Sequence, residues 1–194
     1  MKRLKIKLNQ LTSSQSTLIV DYLNRGQVLA LPTDTIYGLS CRADDVKAVA
    51  RIKKMKGGDK NKPLSVLMLD EEQVKKYCYL SPKRLEFIKK TRLGRRPVTF
   101  ILPYKGGLSK AVVGSSGGLG VRLPKSRFLR KILRALAAPL ISTSLNLSGQ
   151  ANFIIPRHLP KRLQPDLVLE AGPQTKPASI IWDLRGRKFR ILRK

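Results

Sequence analysis

The apolar residues of this chain fall in short runs, and polar, helix-like segments separate those runs. Val28–Leu31, Leu64–Leu69, Val98–Leu102, Leu119–Leu123 and Pro139–Thr143 each suit a buried strand. None approaches the roughly 18 apolar residues that a membrane span needs. Leu4–Leu8 alternates with period two and reads as a further strand, and Val168–Leu169, Ile180–Trp182 and Lys188–Leu192 read as short ones near the end. Helix signals lie between them. Thr12, Ser13 or Ser14 offers an N-cap for a helix that Gly26 stops. Asp44 or Asp45 caps one through Lys54, Ser81-Pro82 opens another, and Ser126 caps one through Leu136. Strands alternating with helices predict an α/β domain over residues 1–194, with a twisted sheet of mixed direction and flanking helices. At 194 residues such a chain buries about 70% of its unfolded surface, enough for a core. Gly106–Gly120, with six glycines, reads as a mobile loop.

Charge narrows the partners. Forty Lys and Arg stand against twelve Asp and Glu, a formal net charge of +28. Phe87–Pro165 holds sixteen Lys and Arg and no acidic residue. Self-repulsion on this scale favours an anionic partner, whether RNA, DNA or a nucleotide, although a compositional bias gives the same charge; RNA is expected on the Phe87–Pro165 basic face, with strong salt dependence. The eleven aromatics do not interleave with the cations, and no helix-turn-helix, RRM or KH pattern is present. Cys41 and Cys78 lie too far apart for a metal-ligand spacing, and no metal site is predicted. The basic start, Met1–Lys7, leads into polar Asn9 and Gln10, not the apolar core of a secretory signal, so a cytoplasmic location is expected.

Three segments could carry chemistry; the first and third follow a predicted strand, where open α/β sheets place their ligands, and the second joins a predicted helix to a strand. Pro32–Leu39 packs Thr33, Asp34, Thr35 and Tyr37 into five positions; a plain turn uses the same residue types. Lys53–Leu64 surrounds Gly57-Gly58 with five lysines, a composition that suits phosphates but lacks the Walker A spacing. Ile141–Gly149 offers Ser142, Thr143, Ser144, Asn146 and Ser148 as neutral hydrogen-bonding groups for a nucleotide, and equally for a Ser-rich turn. His158 is the single histidine, and no nucleophile elbow accompanies it.

In this order, the segments resemble the YrdC-like family. Its P-T-[DE]-T-x-Y-G-L is present as Pro32–Leu39, and its K-x-R-P-x-x-x-P-L corresponds to Lys56–Leu64. Arg95–Thr99, Val121–Pro124, Ser144–Gly149 and Ala178–Asp183 match its P-G-P-x-T, V-R-x-P, S-A-N-x-S-G and S-T-I-x-D, the last offset by one. The likeness covers about Leu18 to Leu192. It implies threonylcarbamoyl-AMP synthesis: L-threonine and bicarbonate give a carbamate that attacks the α-phosphorus of ATP, with Mg²⁺ accompanying the phosphates. The product serves threonylcarbamoyl modification of tRNA, with tRNA and other tRNA-modification proteins as partners.

By the same match, Lys56 and Arg122 are the expected catalytic residues. Thr33, Thr35, Tyr37, Lys62, Thr99 and Ser179 bind substrate, and Lys56, Ser142, Ser144, Asn146 and Arg190 bind the nucleotide. Lys56, read as a surface lysine, is expected to add little to stability. The chain departs from the family at Gly58 (arginine), Leu145 (a small residue), Arg95-Arg96 (P-G) and Ala178 (serine). Ala178 and Gly58 predict weaker threonine selection and weaker phosphate contact, so that Gly58→Arg would raise turnover. Such departures also occur in the YciO-like branch, so the alternatives are a paralogue acting on the modified nucleotide or RNA, and a non-catalytic RNA-binding module.

Overall fold

The computed structural model describes residues 1–59, 61–113 and 117–194. Its strands are β1 (Lys2–Lys5), β2 (Leu29–Leu31), β3 (Gly38–Ser40), β4 (Ser65–Leu67), β5 (Val98–Pro103), β6 (Gly118–Arg122), β7 (Leu140–Ser144), β8 (Leu167–Glu170), β9 (Ile180–Asp183) and β10 (Arg190–Arg193). Its helices are α1 (Ser13–Asn24), α2 (Val46–Lys56), α3 (Glu71–Tyr77), α4 (Pro82–Arg92), α5 (Lys110–Val113) and α6 (Arg127–Leu136). The strands form one sheet in the order β1-β8-β2-β3-β7-β4-β6-β5-β9-β10. The directions are mixed: β8 is parallel to both β1 and β2, whereas β7 is antiparallel to both β3 and β4.

Period-two alternation divides the core between the two faces of this sheet. Val28, Ala30, Val66 and Val168 pack on the face covered by α2 and α4, through Val49, Ile52 and Ile88. Leu29, Leu31, Leu67 and Leu169 pack on the other, against Ile19 and Leu23 of α1 and Phe128, Leu129 and Ile132 of α6. Burial on both faces is why these strands read as unbroken apolar runs.

The predicted helices start where expected, each on a side-chain cap. Thr12 and Gln15 make a reciprocal capping box for α1, and Asp45, Ser81 and Ser126 cap α2, α4 and α6. Three details differ. The first strand lies two residues earlier than its pattern suggests, because β8 pairs with Lys2–Lys5 and leaves Ile6 to plug the core. Helix α3, capped by Asp70 with Glu71 and Glu72 in its first turn, carries a start signal that the apolar pattern alone overlooks. The glycine-rich stretch is not wholly a loop. It contains α5, whose Val112 and Val113 are buried and whose Val112 carbonyl accepts from the Leu64 amide. Residues 114–116 of that stretch lie outside the described residues. The acid-free run from Phe87 to Pro165 is not one surface: α4 and α6 lie on opposite faces of the sheet, and Arg122 is buried.

Candidate active site

A cavity of 470 Å³ opens where β2–β3, α2, β7 and the last strands converge. That volume lies in the range of small-molecule sites. Thr33, Thr35 and Tyr37 line it, with Lys56, Lys62, Thr99, Arg122, Ser142, Ser144, Asn146 and Ser179. Sequence positions from 33 to 179 are thereby gathered into one space. Arg190 does not line it. It is exposed and pairs across the ladder with Asp183, and Arg193 faces the cavity instead. A register shift between Ile191 and Arg193 breaks the period-two alternation there.

The wall after β2 is built by hydroxyls. Thr33 Oγ1 donates to the Ile36 carbonyl at 2.6 Å. Its single hydrogen is then used, so the 2.9 Å contact with Thr35 Oγ1 is a donation from Thr35. Tyr37 is fully buried, and its hydroxyl donates to the Gly172 carbonyl at 3.0 Å and accepts from the Ala171 amide at 2.9 Å. Burial raises its pKa, and its phenol is committed to tying down that distant segment. Arg122, at the end of β6, pairs with Asp34, and both its terminal nitrogens lie 3.3 Å from Thr35 Oγ1. Burial, with the charge of Arg193, lowers the Arg122 pKa to about 10; the Asp34 carboxylate acts the other way. Its Nε is buried without a hydrogen-bond partner.

The opposite wall is the turn after β7. Lys56, the last residue of α2, points its ammonium into that turn. Nζ donates to the Ser144 carbonyl at 2.6 Å, Asn146 Oδ1 at 2.7 Å and the Asn146 carbonyl at 3.1 Å, with Ser144 Oγ at 3.3 Å. Ser144 Oγ donates to Asn146 Oδ1 at 2.6 Å, and Asn146 Nδ2 donates to the Gln150 carbonyl at 2.6 Å. Lys56 is therefore a half-buried organiser of the turn, not a free surface lysine. Burial, then the charge of Lys62, lowers its pKa to about 8, and the oxygens around it oppose that shift. Lys62 itself is exposed at the rim. Leu145, bulky beside the family pattern, causes no obstruction: it is fully buried in the core and does not line the cavity.

A third group stands between the walls. Thr99 Oγ1 and Ser179 Oγ are 2.9 Å apart, and Arg193 donates to the Ser179 carbonyl at 2.8 and 3.0 Å and to its Oγ at 3.1 Å. Sequence reasoning did not pick out Arg193, Lys53 or Asp59, which also line the cavity. The signal for Lys53 was present in the lysine run; the bulge that turns Arg193 inward has no sequence signature. His158 is exposed and outside the cavity.

Gly58 corrects an expectation. It adopts φ +76°, and a Cβ there would lie 2.6 Å from Ser148 Oγ and 2.7 Å from Ser148 Cβ. An arginine in this backbone is both strained and crowded. Gly58→Arg is therefore expected to destabilise the protein by about 2 kcal/mol and to leave turnover no higher. Thermal melting with a parallel activity assay checks this, and raised turnover at unchanged melting temperature would contradict it. Of the two nearby lysines that could offset the missing arginine charge, Lys60 and Lys62, Lys60 lies outside the described residues.

A family model described as "Telomere recombination" (Sua5/YciO/YrdC) matches residues 21–194. The chain belongs to the Sua5/YciO/YrdC family. A relative in this family from Methanocaldococcus jannaschii is 29% identical over 189 residues, covering 93% of this chain and 88% of its own length. The threonylcarbamoyl-AMP synthase of Mus musculus is 33% identical over 153 residues, covering 78% of this chain and 53% of its own length. The structure of P. abyssi Sua5 complexed with L-threonine superposes with a TM-score of 0.85 at 23% identity, covering 99% of this chain and 56% of that one. The chain thus spans about half the length of the mouse relative and of the P. abyssi protein. The Sua5/YciO/YrdC fold accounts for the mixed sheet described above.

Proposed function

We propose that this chain is a threonylcarbamoyl-AMP synthase, which joins L-threonine, bicarbonate and ATP into L-threonylcarbamoyl-AMP and pyrophosphate for tRNA modification. The observation that carries the reading is the pairing, in one cavity, of a cationic wall (Arg122 with Thr35) and a nucleotide-sized polar turn (Ser142, Ser144, Asn146). Relatives that bear this name support it.

The threonine amine and bicarbonate give a carbamate with loss of water. A carbamate oxygen attacks the α-phosphorus, the bond to the bridging oxygen breaks, and pyrophosphate leaves with its electron pair. No covalent enzyme intermediate is required, so positioning and charge stabilisation supply the catalysis. Arg122 binds the threonine carboxylate, and a bound anion satisfies its orphan Nε. The Thr99–Ser179 pair faces the amino acid. Ser142, Ser144 and Asn146 hold the nucleotide, and Lys62 meets the phosphates at the rim. Lys56 keeps the nucleotide turn in shape and adds its charge there. Among the described residues no group of three or more His, Cys, Asp or Glu is placed to hold a metal ion, and Asp59 is the carboxylate lining the cavity. This donor set fits Mg²⁺ as part of the ATP complex, carried by the phosphates, which lowers their charge.

Purified protein given ATP, L-threonine, bicarbonate and Mg²⁺ should release pyrophosphate, and omission of any one should stop it. Release that ignores threonine would overturn the proposal. Gly58 favours the second reading, a YciO-like activity on the modified nucleotide. That reading is supported if the same protein releases no pyrophosphate but removes the threonylcarbamoyl group from modified RNA.

Amino-acid choice gives a finer test. Ala178 lines the cavity beside Ser179 and is exposed there. Ala178→Ser adds a hydroxyl within reach of a substrate hydroxyl, and sites that bond a hydroxyl reject analogues lacking it. The variant should raise the preference for L-threonine over L-valine on the order of tenfold, with ATP dependence unchanged. Pyrophosphate release with each amino acid measures this.

A further inference from the structure

We propose a second, separate anion site on this protein: an RNA strand docks in the basic pocket between α4 and the β9–β10 turn. The pocket, 330 Å³, is lined by Ser81, Lys83, Arg84, Arg185, Arg187 and Phe189, with Gly186 at the turn. It shares no residue with the cavity described above. The inference does not depend on the proposed activity.

The pocket is held open by its own bonds. Arg84 donates to the Leu184 carbonyl at 2.8 Å and to the Arg185 carbonyl at 3.0 Å, which fixes the turn against α4. Arg185 forms a fork with Asp183, at 2.9 and 2.7 Å. Asp183 is thus the acidic counterpart of a space bordered by four cationic side chains. The adjoining N-terminus of α4 brings no carboxylate in its first turn, so its positive end adds to the field. Holding these charges together is unfavourable without an anion nearby.

The charge continues past the pocket. Residues 81–92 and 184–194 together carry eleven Lys and Arg and the single acid Glu86. One small anion could not match that excess, whereas a phosphodiester chain could. Phe189 favours RNA over another polyanion. Its ring packs edge-on against Phe87 at 4.9 Å, and the Lys83 ammonium lies 5.5 Å from its centroid. A fixed ring flanked by cations is the arrangement on which bases of a single strand stack.

The test uses the whole chain and a fluorescein-labelled single-stranded RNA 20-mer, read by anisotropy at several salt concentrations. Lys83 and Arg187 are exposed. The double variant Lys83→Ala/Arg187→Ala should bind on the order of tenfold more weakly at low salt. Its log–log salt slope should be shallower by about 1.4, since each phosphate contact gives a single strand about 0.7. Phe189→Leu should weaken binding with the slope unchanged. Melting temperature and pyrophosphate release of the double variant should match the parent. A control pair on the opposite face, Arg127→Ala/Arg134→Ala on α6, should bind RNA as the parent does. Equal loss from the control pair would assign the binding to bulk charge and overturn the site. So would an unaltered double variant, or binding to phosphatidylserine vesicles in place of RNA.

Discussion

Lys56→Ala is expected to lower ATP-dependent pyrophosphate release by about 10²-fold, the scale of one lost transition-state charge contact, and to destabilise the fold as well. The second effect separates this lysine from Lys62. Its ammonium satisfies two carbonyls and the Asn146 amide oxygen in a half-buried turn. Removal leaves those oxygens short of a donor, at a cost of about 2 kcal/mol, or about 4–8 °C in a domain of this size. Lys62→Ala, at the exposed rim, should leave melting unchanged. Since the ammonium titrates near pH 8, ATP affinity of the parent should fall as pH rises through that value, when the charge is lost. The variant should show no such step. Differential scanning fluorimetry and ATP titrations at pH 7 and pH 9 measure both. A Lys56→Ala protein that melts with the parent would mean that the turn holds its shape unaided.

Arg122→Gln should be costlier still. The guanidinium and its partner Asp34 have side-chain exposures of 8% and 12%, so solvent screens neither well. Breaking a buried pair by removing one member typically costs about 3–5 kcal/mol, because the other charge is left unpaired. Turnover should fall by about 10²–10³-fold with loss of the bidentate donor for an incoming carboxylate. Asp34→Asn placed in the same chain should recover most of the melting temperature and none of the turnover. That split separates a role in holding the fold from a role in binding substrate. Recovery of both together would show that Arg122 acts only through Asp34.

Much of this molecule was legible because its local rules agree with its global form. The caps Thr12, Asp45, Ser81 and Ser126 and the doubly buried strands were visible as residue types at fixed spacing. The motif residues Thr33, Thr35, Lys56, Arg122, Ser144 and Asn146 do line one cavity. What escaped depended on geometry that a one-dimensional pattern does not contain. Strand β3 begins at the end of the Pro32–Leu39 motif and runs one residue past it, where hydroxyls and a glycine disguise three buried ladder residues. Lys56 looked like its neighbours in a lysine run, but as the last residue of α2 it is aimed at the β7 turn. Gly58 looked like a lost arginine, although its backbone has φ above zero and suits a residue without Cβ. Arg193 and Arg190 are equivalent on paper, and a bulge separates them.

The position of β8 sets the order in which the molecule can be assembled. This strand fills the space between β1 and β2, parallel to both, with Leu167 opposite Lys2 on one side and Leu29 on the other. The two N-terminal strands therefore leave the ribosome long before the segment that joins them. Until then Leu29 and Leu31, fully buried in the finished protein, have an unpaired backbone edge beside them. Closing a loop of that length precedes the contacts that reward it, so the pairing of β8 with β1 and β2 is expected to be slow. A nascent chain of this kind is most exposed to wrong pairing until β8 emerges, and it gains most from a chaperone that shields the β1–β2 segment until then.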